Sequence, residues 1–371
     1  MAENSFQAKE KGKIKPDSVN VLLSGGRVFE GWKNVTIQKN MESIANGFSF
    51  EIDDRFAESN SDWLLKPGQW VAISVGSERV VTGYIEKVTA AFDAGSRQYS
   101  IEGRSKPGDL VDCSVEGAAE YSGEKIEAIA EKLVKPFGIK IFTSVESSVV
   151  NTFGIKVGES VFTALNRLAR LQGFFWVSTR AGNIRLTRPG RARAFTTLEE
   201  NVNLLSGSIE IDTTERFSSY EVKGQSAGTN SFNLGNAAHP QGKATDLGIT
   251  RHRPLCVIAE GPVDAATSQT RAEWESTSRL AKGMSVDVIV QGWRQENGIL
   301  WGINQIVRLK SKYLGLNTDM LITQVEHSQS ESGTVTNMTL KNKNSFIPKK
   351  VIKKEDDILA RLSANVKKQQ K

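Results

Sequence analysis

Histidine and cysteine are scarce in this 371-residue chain, with three of one and two of the other, and that scarcity removes whole classes of chemistry. Cys113 and Cys256 lie far apart in sequence, which is neither a disulfide framework nor a zinc spacing. A reducing compartment is the expected place of synthesis. His239, His252 and His327 are scattered through polar sequence, so no metal cluster is expected and no imidazole is poised to orient a nucleophile. Apolar runs are short as well. None approaches the ~20 residues of a membrane span, and the polar opening "MAENSFQAKEKGKIKPDS" has no apolar h-region, so no signal peptide is expected.

A basic fold surface is also missing. The formal net charge is +6, but the excess sits at the two ends. Residues 1–16 carry Lys9, Lys11, Lys13 and Lys15 against Glu3 and Glu10, and residues 349–371 carry eight Lys or Arg against three acids. The body between is close to neutral, whereas a sequence-specific nucleic-acid binder needs its basic residues on one face of the fold.

What the chain does have is alternation. Val35 and Ile37, then Phe48, Phe50 and Ile52, then Val71, Ile73 and Val75 recur with the period of two that marks strands with one buried face. Turn signals separate them, and this spacing predicts a β-barrel or sandwich over 19–112. A helical stripe follows in "SGEKIEAIAEKLVKPFG", with Ser122 as predicted N-cap and Glu124 in the first turn. "GESVFTALNRLARLQG" predicts a second helix capped by Ser160 and ended by Gly173, and "FFWVSTRAGNIRLTR" a hairpin. Residues 113–204 thus read as a small α+β domain. The β pattern returns over 205–345, with a polar loop near 226–248 and an inserted helix near 264–282 capped by Asp264. A flexible tail at 1–18 and a basic C-terminal tail or helix at 346–371 flank these three domains. These patterns place the chain in the mainly β class with an α+β insert.

Residues 68–103 and 304–342 share a pattern. In each, a Gln-led apolar strand and a turn precede a strand carrying Val88 or Val325, then a Gly-containing turn and an alternating strand. Either one β domain occurs twice, joined by the insert, or two unrelated hairpins coincide.

Reactive constellations fare poorly. Ser105, Lys106, Asp109, Asp112 and Cys113 gather in one loop but lack an oriented base; the alternative is a turn where the first β domain hands over to the next. "DDRFAESNSD" lacks the Gly and terminal Glu of a calcium loop, and "GNAAHPQGKAT" fails as a phosphate loop. No catalytic, cofactor or metal residue is assigned. Trp32, Trp63, Trp70, Trp293 and Trp301 sit in or beside β segments, as in a barrel core or a subunit interface. Trp32, Trp70, Trp293 and Trp301, with Ile358 and Leu362 on the tail's apolar stripe, are the interface candidates.

The order of several stretches carries a family resemblance: "GGRVFEGW" (25–32), "TGYI" (82–85), "GRSKPGDLVDCS" (103–114), "GESVFTALNRLARLQG" (158–173), "RFSSYEVKGQ" (216–225), "AEWE" (272–275) and "VQGWR" (290–294). The chain resembles the baseplate hub proteins of Mu-like contractile-tailed phages, within the wider hub family of T-even phages and type VI secretion spikes. The resemblance implies two similar β-barrel domains flanking a small α+β domain, no enzymatic activity and no cofactor. It implies a homotrimer around a central channel that adapts a sixfold tail tube protein to a threefold central spike protein. It also implies contacts to other baseplate proteins, DNA only as passing cargo, no membrane span, and a place in the virion after assembly in the host bacterial cytoplasm. The alternatives are a tail-associated peptidoglycan hydrolase and a receptor- or glycan-binding tail module.

Overall fold

The computed structural model describes residues 17–53, 65–94, 97–117, 120–190, 192–225, 241–262 and 265–343. The first half of the chain is β1 (Val19–Leu23), β2 (Val28–Phe29), β3 (Asn34–Asn40), β4 (Gly47–Asp53), β5 (Trp70–Val75), β6 (Glu78–Phe92) and β7 (Arg97–Ser105), closed by the single turn α1 (Gly108–Asp112). Alternate residues point inward, as the sequence predicts. Val35, Ile37, Phe48, Phe50, Val71, Ile73, Val75 and Ile101 share one buried core.

The α+β unit follows with β8 (Glu120–Lys125), α2 (Ile126–Val134), β9 (Ile141–Thr143), β10 (Val149–Gly154), α3 (Val161–Arg170), β11 (Phe175–Ser178) and β12 (Ile184–Thr187). Ser160 caps α3 by accepting from the Thr163 backbone N–H at 3.2 Å, and β11 pairs β12 around Gly182, φ +74°. Ser122 and Glu124 depart from expectation. They lie in β8, where pairing with β10 overrides the capping signal and delays the helix to Ile126. Ile129, Leu133, Leu165, Leu168 and Trp176 fill a separate core there, and the Trp176 indole donates to the Leu165 carbonyl at 2.8 Å.

Two short strands, β13 (Ala192–Arg193) and β14 (Leu198–Glu199), lead to β15 (Leu204–Ile211). Then come β16 (Ser219–Gln225), β17 (Gln241–Thr245), β18 (Pro254–Pro262) and α4 (Ala265–Lys282), followed by β19 (Met284–Gln291), β20 (Gln305–Ser311), β21 (Leu316–Ser330) and β22 (Gly333–Lys341). The predicted polar loop holds β17, which pairs β16; alternation is too weak in "QGKAT" to announce a strand. Asp264 falls outside the described residues. β16–β18 and α4 form a small unit tied by a buried fork, with Arg216 donating twice to Asp246 at 2.9 Å.

The repeat is present in the strand pairing. β5–β6–β7 and β20–β21–β22 are both antiparallel meanders with a 15-residue middle strand and a 9-residue last strand. Each middle strand slips register at the same point, between Ile85 and Lys87 and between Ile322 and Gln324. This sets Ile85 over Ile322, Lys87 over Gln324 and Val88 over Val325. On the far side, β4 pairs β7 as β19 pairs β22, and β3 pairs β4 as β15 pairs β19. Over five strands the halves match, β3-β4-β7-β6-β5 against β15-β19-β22-β21-β20, and beyond these β1 lies antiparallel on β5 where β13 and β14 lie parallel on β20. The halves also differ in that β3 and β4 form a direct hairpin, whereas the β16–α4 unit lies between β15 and β19.

Both halves belong to one sheet, ordered β15-β19-β22-β21-β3-β4-β7-β6-β5-β1-β2, with β20 paired to the first residues of β21 on the edge that β3 takes further along. Among the described residues no strand pair closes either half into a ring. The expected mainly β class with an α+β insert stands, with the halves joined edge to edge in one sheet.

Gly83 and Gly103 let the two long strands of the first half cross closely. A Cβ on Gly83 would lie 1.9 Å from the Arg104 carbonyl oxygen, and one on Gly103 would lie 2.2 Å from the Tyr84 oxygen and 2.3 Å from the Phe48 ring. Neither collision is relieved by a side-chain rotation, because backbone is on the other side. Gly83→Ala should destabilise the fold by roughly 3 kcal/mol or more, read as a lowered denaturation midpoint. A shift smaller than that of an exposed β6 substitution such as Thr89→Ala would contradict the close approach.

Candidate assembly interface

The halves meet where β21 lies against β3. Six residues pair antiparallel, from Gln324 opposite Asn40 to Gln329 opposite Val35. β21 is long enough to serve two partners on that edge: its first residues pair β20 and its last pair β3. Three further hydrogen bonds, two of them between side chains, reinforce the ladder. The Asn40 amide donates to Gln324 at 3.2 Å, the Met41 N–H to the Thr323 carbonyl at 2.8 Å, and Lys341 to Glu42 at 2.8 Å.

Trp293 crosses the seam. It follows β19 in the second half, yet its ring is buried in the core of the first half, and its indole donates to the Ser328 carbonyl at 3.0 Å. Beside it lies His327, fully buried, with ring centroids 5.7 Å apart. His327 Nε2 is 3.2 Å from the Trp301 carbonyl and Nδ1 is 3.2 Å from the Thr336 hydroxyl. A carbonyl only accepts, so the neutral ring carries its proton on Nε2. Burial, with the cations Lys39 and Arg294 nearby, pushes the imidazole down to about 3. Lys39, on the paired strand, is pushed down to about 8 by burial and by Arg180. The sequence placed His327 in polar surroundings, and its solvent-free position becomes visible only once β3 covers β21.

Glu78, at the start of β6, joins three parts of the chain. It accepts from Arg294 of the second half at 2.6 Å and from Arg180 of the α+β unit at 2.9 Å. The Arg294 hydrogen bond, more than the other contacts, holds its carboxyl below the usual range. Arg294 also donates to Asp17 at 2.9 Å. A second tie runs from Lys106 to the Gly138 carbonyl, 2.8 Å, and from the Thr82 hydroxyl to the Arg180 carbonyl, 2.9 Å.

The interface candidates separate by position. Trp32, Trp293 and Trp301 are buried within the chain, while Trp70 is half-buried opposite Tyr84. Trp63, Ile358 and Leu362 lie outside the described residues. The loop at 103–114 is taken up by structure. The Ser105 hydroxyl accepts from the Asn46 N–H at 2.9 Å. Arg104 bridges Glu86, at 2.7 Å, and Asp112. Asp109 is raised by burial and Glu86, and Cys113 is an exposed thiol. Among the described residues, no cluster of His, Cys, Asp and Glu could hold a metal ion, and no helix is long and apolar enough to cross a membrane.

The chain matches three family models in succession. They are the N-terminal domain of the Mu phage baseplate assembly protein GpP-like family over 19–105, the second domain of the baseplate hub protein gp44-like family over 107–188, and the fourth domain of GpP over 264–349. The baseplate hub protein gp44 of Escherichia phage Mu is 31% identical over 340 residues, covering 88% of each chain. The 43 kDa tail protein of prophage MuSo2 from Shewanella oneidensis superposes with a TM-score of 0.79 at 27% identity, over 89% of this chain and 100% of that one. The c3393 protein of E. coli, a type VI secretion component with structural similarity to the T4 tail proteins gp27 and gp5, shares the fold alone. Its TM-score is 0.50 at 9% identity, over 89% and 79% of the two chains. These relatives and the β scaffold define a structural component of a phage tail baseplate rather than an enzyme. The chain belongs to the family of the Mu baseplate hub protein gp44.

The seam has a pH signature. His327 titrates near 3 when folded and near 6.5 when unfolded, so between those values the unfolded chain binds the extra proton. Stability is full above about 6.5 and falls as pH drops through the window, at up to about 1.4 kcal/mol per pH unit. Between pH 7 and pH 5 the His327 share of the loss should be about 2 kcal/mol. Urea denaturation of His327→Asn should show a correspondingly smaller loss over that interval. Equal losses in variant and parent would show that His327 is not buried as a neutral ring.

Proposed function

We propose that the protein is the hub ring of its baseplate: three copies around a central channel, each half of each chain forming one barrel-like segment. The ring seats the sixfold tail tube on one side and the threefold spike on the other, contacts other baseplate proteins, and lets DNA pass. It is assembled in the host cytoplasm. The domain limits are those of the sequence reading, 19–112, 113–204 and 205–345.

One observation carries this reading: the two halves repeat the same strand order and are joined edge to edge. Two like segments per chain give six like segments in a trimer, which is how a threefold object presents a quasi-sixfold rim. Each half keeps its own apolar core, which supports treating them as equivalent segments. The near-neutral body supports passage of DNA, because tight phosphate binding would hold it in place. Burial of Trp32, Trp293 and Trp301 takes away three of the aromatic rings that a glycan-binding face would use.

Light scattering on the purified protein should give a particle of about three times the 40.7 kDa chain mass. A strictly monomeric protein across concentrations would overturn the ring.

A further inference from the structure

The two halves differ at one sheet edge, and the difference names a docking surface. In the second half, residues Gln324–Gln329 of β21 are flanked by β22 on one side and β3 on the other. Their counterparts in the first half, Lys87–Phe92 of β6, are flanked by β7 alone among the described residues. The counterpart of β3 is β15. It ends the sheet, and among the described residues it pairs only with β19, which leaves its outer edge open there. One chain therefore carries the two halves of an unmade seam, one at each end of a matched pair of repeats.

We propose that β6 of one protomer pairs antiparallel with β15 of the next, reproducing between chains the β21·β3 seam within one chain. The inference rests on the ring reading and supplies the contact that closes it. Its register follows from the repeat. β21 maps onto β6 through the shared bulge, and β3 maps onto β15 through their pairings with β4 and β19, which set Ile37 over Ile209 and Thr36 over Ser208. Gln324 opposite Asn40 then becomes Lys87 opposite Asp212, Val325 opposite Lys39 becomes Val88 opposite Ile211, and His327 opposite Ile37 becomes Ala90 opposite Ile209.

The residues brought together are chemically matched, although nothing in the mapping required it. Lys87 meets Asp212, a cation against an anion where the internal seam has two amides. Val88 meets Ile211, and Ala90 meets Ile209, so the apolar side chains share one face. Phe92 meets Gly207, and an aromatic ring laid over a cross-strand glycine is a stabilising pair. In one chain the two largest of these exposed apolar groups are wet, Phe92 at 87% and Ile211 at 49%, while Val88 and Ile209 are half-buried. The edges are only lightly defended, with a single bulge at the start of each segment. Isolated edge strands are normally blunted by proline, inward charge or a covering loop. "KVTAAF" and "LLSGSIEI" have no proline and one charge each. Two different open edges on one chain, complementary to each other, form a heterologous contact that propagates from copy to copy and closes when the rotation allows.

Disulfide trapping tests the register. In a Cys113→Ser, Cys256→Ser background, Ala91→Cys is combined with Ser208→Cys, and separately Thr89→Cys with Glu210→Cys. All four of these β positions are exposed, so neither pair disturbs a core. Opposed residues in an antiparallel pair lie within disulfide reach. Both pairs should give a covalent trimer on oxidation, resolved on a non-reducing gel. Ala91→Cys with Ile211→Cys, three residues out of register and on opposite faces, should give none. Particles of trimer mass by light scattering that fail to cross-link at both in-register pairs would overturn this contact and leave the ring standing. Monomer mass under the same conditions would overturn both.

Discussion

Backbone hydrogen bonding along one long strand decides the architecture. β21 runs for 15 residues, and on one of its edges it exchanges β20 for β3 partway along. Had it ended after the first partner, the two halves would be separate sheets. Because it continues, the halves share a ladder, with buried and half-buried groups gathered around it. The buried His327, the indole of Trp293 lodged in the opposite core, and the Arg294–Glu78–Arg180 chain all lie along this junction. A strand pair is a suitable device for joining like units, since its strength comes from main-chain groups that every residue carries and its specificity from register.

Much of the scaffold was legible because strands with one wet face write themselves in alternation. "WVAISV" and "MSVDVIVQ" alternate, and the Ser160 cap sits directly before its helix. The duplication was visible too, as two stretches that each place a valine before a turn. Less visible was everything that depends on who pairs with whom across long sequence distances. Ser122 and Glu124 look like the start of a helix until β10 takes them into a strand. "QGKAT" looks like loop until β16 supplies a partner. His327 looks polar and exposed because its neighbours in sequence are; the groups that surround it are Trp293, the Trp301 carbonyl and Thr336, with Ile37 of β3, nearly three hundred positions earlier, opposite it across the seam.

The candidate assembly residues show the same division. Tryptophans draw attention in a sequence because they favour cores and interfaces alike. Here the structure assigns Trp32, Trp293 and Trp301 to the inside of the chain, and the open edges are made of small and unremarkable residues. The sequence signal that marks them is comparative: Lys87–Phe92 aligns with a segment flanked on both edges, and among the described residues is itself flanked on one.

The unit between β15 and β19, with its buried Arg216–Asp246 fork, interrupts one half at the point where the other makes a plain hairpin. Around a closed rim built from such chains, every second segment would bear this outgrowth and its neighbours would be bare. The periodicity of the backbone ladder and the periodicity of the decoration are then different, one twice the other. A docking partner that grips the ladder counts to six, while a partner that grips the outgrowths counts to three.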